Sequence, residues 1–306
     1  MNKDNFQSNR DNLFNKMIDS SLAVVFTGVE KHRSADAFYN FSPNRNFYYL
    51  TGIDKDNMIL VMKKGTKNDV YLFIEENTDF KAKWYGARMS KQVASELSGI
   101  DVKNIRFLES FDKFFQTLNG VSRAGMVAPS SLYLDLLRSH GNEHPETFEF
   151  ARVVKDKYPE LQIKNLESHL GALRMIKTAD EVKEIQKAVD ITKIGMMSLM
   201  KNAKAGMYEY QLESYYKQSI MFNNSSESFQ TIAASGKNAT CLHYMDNNST
   251  IEDNTLILFD LGALSNYYSS DITRTIPISG KFTERQPEIY EVVLKANKET
   301  IDFIKA

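Results

Sequence analysis

Between Leu256 and Arg274 the chain reads LILFDLGALSNYYSSDITR, and this stretch limits the possible folds more than any other. Asp260 follows four consecutive apolar residues, the signature of a buried strand end, where an ionised carboxylate is costly without a partner. A reversal centred on Ser265 and Asn266 pairs residue 264 with 267, 262 with 269 and 260 with 271. On that register Asp260 and Asp271 face each other on one side of a hairpin, with Cβ atoms about 4.5–5.5 Å apart. The second strand fits, because Asp271–Ile278 alternates, with Asp271, Thr273 and Thr275 on one face and Ile272 and Ile276 on the other. Two like charges so placed destabilise a sheet. A shared proton, a nearby Arg or Lys, or a bound cation must compensate, and oxygen donors suit Mg²⁺, Mn²⁺ or Ca²⁺. Spacing alone also leaves room for an exposed Asp271, an Asp271–Arg274 pair, or Asp260 capping a turn, since Ser-Asn is only a fair hairpin signal.

Apart from that stretch, the chain reads as a soluble α/β protein. Its 306 residues suggest two domains, and 42% hydrophobic with 25% charged residues is ordinary for a globular chain. With 38 basic against 39 acidic side chains the net charge is −1, so no basic excess points to a nucleic-acid partner. The longest apolar runs, Leu22–Phe26, Met58–Met62 and Val70–Ile74, are five residues each, against about 18 for a membrane span. The N-terminus has no apolar core behind a basic start, so a cytoplasmic location is expected. Cys241 is the single cysteine, which excludes an internal disulfide framework and fits a reducing compartment.

The first part alternates strand-like runs with helical stretches. Leu22–Thr27, Phe47–Leu50, Met58–Met62 and Val70–Ile74 read as strand-like, the last two joined by a polar, Gly-containing hairpin connection. Ser90–Leu97 and Phe111–Leu118 have helical spacing. A boundary falls near Gly171–Lys177. Directly after it, Thr178-Ala179-Asp180-Glu181 matches a capping box, opening a helix that Gly206 would close. Glu181→Ala is expected to cost about 1 kcal/mol or less through that cap. A second helix covers about Tyr208–Met221, strands follow at Phe229–Ala234 and Leu256–Phe259, and Glu288–Ile304 forms a last helix with a packed apolar stripe. His243 is a candidate functional histidine, while His32, His140, His144 and His169 read as surface residues. No His-Glu-x-x-His, P-loop, Gly-x-Gly-x-x-Gly or Gly-x-Ser-x-Gly is present.

Several blocks, in order, resemble the aminopeptidase P branch of the metallopeptidases with a pita-bread catalytic fold, a group that includes prolidase, methionine aminopeptidase and creatinase. Phe47-Tyr48-Tyr49-Leu50-Thr51-Gly52 and Trp84-Tyr85-Gly86-Ala87-Arg88 are similar to the creatinase-like N-terminal domain of that family. Leu173 to Val182 is similar to its entry into the catalytic domain, and Ala234 to Tyr244 to the block carrying a substrate-contacting histidine. Asp260-Leu261-Gly262 and Ser270 to Thr275 resemble the strands carrying the first two metal-binding aspartates. The implied organisation is an α/β (α+β) chain: residues 1–170 a mixed α/β N-terminal domain, residues 171–306 the first part of a pita-bread domain.

The resemblance implies removal of the N-terminal residue from peptides with proline second, with two divalent ions, manganese foremost. Asp260 would hold one ion and Asp271 bridge both, and a metal-bound hydroxide would attack the scissile carbonyl, coordination having lowered the water's pKa. His243 would hold the peptide or the tetrahedral intermediate, Trp84 would border the peptide site of a neighbouring subunit, and Thr273 would support the metal ligands. A homo-oligomer, dimer or tetramer, is implied as well. The family completes its metal site with one His and two Glu further on. The residues after Asp271 contain no histidine, and Glu284, Glu288, Glu291 and Glu299 lie in a linker and a helix. The chain is therefore expected to be an incomplete catalytic unit, inactive alone. A prolidase-type dipeptidase and a non-catalytic peptide-binding module of the same fold are the alternatives.

Overall fold

The computed structural model describes residues 1–120, 128–138 and 145–305; His140 and His144 lie outside the described residues. It divides into two compact units, Met1–Lys177 and Thr178–Ala306.

The first unit opens with helix α1 (Lys3–Lys16) and strand β1 (Ser21–Phe26), then a short ribbon, β2 (His32–Ser34) with β3 (Ala37–Phe38). Helix α2 (Arg45–Thr51) precedes a hairpin of β4 (Ile59–Lys64) and β5 (Asp69–Ile74), followed by α3 (Asp79–Tyr85), α4 (Lys91–Ser98) and β6 (Ile105–Phe107). Then come α5 (Phe111–Asn119), β7 (Ser131–Leu134), α6 (Pro145–Lys157), β8 (Gln162–Asn165) and α7 (Glu167–Met175). Six strands make one mixed sheet in the order β6-β5-β4-β1-β7-β8. Alternation sorts its side chains. Ala23, Val25, Leu60, Met62, Leu72 and Tyr133 meet Leu13, Phe47, Leu50, Ala94 and Leu170 on one face. Leu22, Val24, Val61, Phe73 and Leu132 meet Phe111, Phe115, Ala151 and Val154 on the other. Both faces being covered, β1 is apolar almost throughout, as a central strand should be.

The aromatic run Phe47–Leu50, expected to be strand-like, is helical. Asn44 Oδ1 caps the start by accepting from the backbone N–H groups of Asn46 and Phe47, 2.7 and 3.3 Å away. Gly52, at φ +70°, closes the end in a left-handed turn. Two local capping signals thus override the strand preference of the aromatics between them.

The second unit begins with α8 (Ala179–Asn202) and α9 (Glu209–Phe222). Thr178 and Glu181 form the expected capping box, but α8 stops at Asn202, and Gly206 instead shapes the link to α9, its N–H donating to the Ile251 carbonyl at 2.9 Å. The strands are β9 (Ser226–Glu227), β10 (Ile232–Ser235), β11 (Leu256–Leu261), β12 (Ala263–Ser265), β13 (Tyr268–Ser269) and β14 (Ile272–Pro277). They form two antiparallel sheets, β10-β11-β14 and β13-β12-β9. The apolar side chains of α8 and α9, among them Ile191, Leu199, Leu212 and Tyr216, pack with Ala233, Ile257, Phe259 and Leu261. Gly262 joins the two sheets at a point where a Cβ would run into the Ser270 carbonyl and Ser228 Oγ. The final helix, α10 (Gln286–Phe303), has no buried residue. Its Ile289, Val292, Val293 and Ile301 stripe, expected to be packed, is exposed. Among the described residues no helix is long and apolar enough to cross a membrane.

Candidate metal and peptide site

The two aspartates share a face, but not in the expected register. The hairpin pairs Ser265 with Tyr268 and Leu264 with Ser269, so its central residues are Asn266 and Tyr267, one position later than expected. Both have left-handed φ, +47° and +66°, the combination a type I′ turn uses. The same register continues into β11 and β14, where Asp260 lies opposite Thr273 and Leu261 opposite Ile272. Asp271 is therefore diagonal to Asp260. Because the offset amounts to two residues, the face is unchanged.

Several neighbours fix this segment. Asn266 Nδ2 donates to Glu184 Oε2 on α8 at 2.9 Å, and Tyr268 OH to Glu181 Oε1 at 2.9 Å. Ser270, immediately before Asp271, is buried, its hydroxyl 2.7 Å from that of Thr192. Thr273 Oγ1 donates to Asp260 Oδ1 at 2.8 Å. Arg274 turns away, its Nη1 donating to the Thr273 carbonyl at 2.7 Å. Among the described residues neither aspartate forms an ion pair with a basic side chain. Partial burial pushes the Asp271 carboxyl above the usual range, and the charge of Asp260 and a hydrogen bond with its carboxylate add to that.

Two hard oxygen donors without a basic partner fit a divalent cation chemically. They remain two: among the described residues no group of three or more His, Cys, Asp or Glu side chains is placed to hold a metal. His243 is exposed on the loop after a short 3₁₀ turn, Gly236–Thr240, with Cys241 also exposed two positions before it. Trp84 belongs to α3 of the first unit and is 68% exposed, its ring 6.3 Å from that of Phe80. His32 is exposed as expected, whereas His169 is half-buried with its ring 5.5 Å from Tyr133. Glu209 was not singled out by the sequence. It is fully buried in the first turn of α9, and it binds the loop that carries His243.

The family comparisons agree with this architecture. Residues 6–126 match the model of the aminopeptidase P N-terminal domain, and residues 183–306 that of metallopeptidase family M24. The molecule thus joins an aminopeptidase P N-terminal domain to a metallopeptidase domain of the pita-bread fold. The Xaa-Pro aminopeptidase of Escherichia coli K12 is 30% identical over 299 residues, 97% of this chain and 67% of that protein. A solved structure of a Bacillus anthracis protein assigned as an aminopeptidase P superposes with a TM-score of 0.92 at 40% identity, covering 98% of this chain and 71% of that one. The low-pH form of Escherichia coli aminopeptidase P gives 0.87 at 27% identity, with 100% of this chain and 69% of that one covered. The chain belongs to the aminopeptidase P, or Xaa-Pro aminopeptidase, family of metallo-aminopeptidases.

Proposed function

We propose that the chain works in a manganese-dependent Xaa-Pro aminopeptidase, which removes the N-terminal residue from peptides whose second residue is proline. The observation that carries this reading is the same-face pair Asp260 and Asp271, like-charged and, among the described residues, without a basic partner. These two carboxylates would hold the divalent ions, two in number by the family's pattern. Such ions, when bound, supply Lewis acidity and bring the pKa of coordinated water towards neutrality. The chain's own residues prepare for that role. Thr273 orients Asp260 through its hydroxyl, and the buried Ser270 fixes the backbone from which Asp271 projects. His243 and Trp84 are assigned to the peptide: an exposed imidazole can donate to a carbonyl of the substrate, and the exposed indole can pack on a proline ring at the site of a neighbouring subunit. Assembly as a homo-oligomer is part of the same reading.

The test is release of the N-terminal residue from an Xaa-Pro-Xaa peptide with Mn²⁺, by the 306-residue chain alone and by a version extended through the remaining length of its relatives. Since octahedral ions take about six donors and these two carboxylates are the donors placed together among the described residues, turnover is expected in the extended version only, lost with EDTA and in Asp271→Asn. His243→Ala is expected to lower turnover while metal content stays. If the extended protein bearing bound Mn²⁺ cleaves no peptide of this class, the proposal fails. Hydrolysis confined to dipeptides would favour the prolidase-type alternative.

A further inference from the structure

The loop that carries His243 has no regular secondary structure after Thr240, yet it is anchored at two points by carboxylates one helical turn apart on α9. Glu209 Oε1 accepts from the Ser235 N–H at 2.7 Å, the Ser235 hydroxyl at 2.6 Å and Asn238 Nδ2 at 3.1 Å. Its Oε2 accepts from the Tyr244 hydroxyl at 2.7 Å and the Ser249 N–H at 3.0 Å. The four residues that donate, Ser235, Asn238, Tyr244 and Ser249, lie on both sides of His243 in sequence, and Tyr244 is its immediate neighbour. Glu213, one turn on, accepts from Asn247 Nδ2 at 3.0 Å, and Asn247 in turn receives the Ala233 N–H at 3.0 Å.

Glu209 is unusual for a glutamate. It is completely buried and among the described residues has no basic partner, so neutral donors solvate its charge. Burial alone would push its carboxyl up, but these donors outweigh burial and hold it below the usual range. A surface acid at a helix start needs none of this. A buried one with its acceptor sites filled by a single loop defines the shape of that loop.

We infer that Glu209 is the positioning residue for His243: its carboxylate gathers Ser235, Asn238, Tyr244 and Ser249, and so fixes where the imidazole stands. This rests on the reading that His243 touches the peptide, though the positioning itself does not. Glu209→Gln is the informative change, because it keeps shape and the Oε1 acceptor but presents an N–H₂ group to the Ser249 N–H, donor against donor.

The experiment follows the histidine ring signals of the 306-residue chain by NMR, with His243 identified by its loss in His243→Ala, while an Ala-Pro-Ala peptide is titrated in. In Glu209→Gln the His243 signal should move, and peptide affinity should fall about tenfold, the scale of one charge-assisted hydrogen bond. The double variant with His243→Ala should bind no worse than His243→Ala, since both act through one contact. A Glu209→Gln protein that melts earlier but keeps the wild-type His243 signal and affinity would show a purely structural role and overturn the inference. Should Glu209→Gln not fold, Tyr244→Phe removes a single donor and is read in the same way; an unmoved His243 signal there counts against positioning. If the wild type binds no peptide, the peptide reading falls, and the response of the ring signal to Glu209→Gln still decides the positioning.

Discussion

Asp271 has opposite consequences with and without a cation. In the metal-free protein its carboxyl is raised by burial and by Asp260, so it supports the fold below its unfolded pKa and that support is lost as pH rises through the higher folded value. At neutral pH the ionised pair therefore works against the fold. Asp271→Asn should melt no lower than wild type at neutral pH in EDTA, with any advantage shrinking on acidification. Added Mn²⁺ should raise the wild-type midpoint and leave the variant's nearly unmoved. A variant clearly less stable in EDTA at neutral pH would contradict this account. The shared face of the two aspartates was legible because strands repeat every two residues. Their diagonal placement was not, since it depends on Tyr267 adopting φ +66°, which a bulky side chain rarely does and no turn rule anticipates.

The start of α8 shows how one element can join local and long-range roles. Thr178 and Glu181 satisfy each other's backbone N–H groups, which sequence alone announces. Glu181 is also buried and accepts from Tyr268 OH on β13, a contact 87 residues away that no local pattern reveals. The cost expected from capping alone is therefore too small for Glu181→Ala. Thr178→Ala should lose about 1 kcal/mol, the cap, whereas Glu181→Ala also removes the hydrogen bond from Tyr268 OH and should lose about 2–3 kcal/mol by urea denaturation. Equal losses would mean that the Tyr268 contact contributes nothing. Glu209 escaped notice for a related reason: an acid in a helix's first turn reads as a surface charge complementing the helix dipole, and only tertiary structure shows it buried.

At the scale of the molecule, the first unit has what independent folding requires. Its six-stranded sheet is covered on both faces by its own helices, with an apolar cluster on each side. Met1–Lys177 expressed alone should melt in one cooperative transition with a native-like circular dichroism spectrum. A fragment without cooperative unfolding would show that the division is only geometric. The composition and alternation of elements made an α/β fold readable, but the strand order was not, because β1 pairs antiparallel with β4 and parallel with β7, partners far apart in sequence. One last property of the whole chain has a practical side. Cys241 is the single thiol in 306 residues, and it is exposed two positions from His243. A maleimide dye will therefore attach at one place only, turning this loop into an optical gauge of its own movement without any prior engineering of the protein.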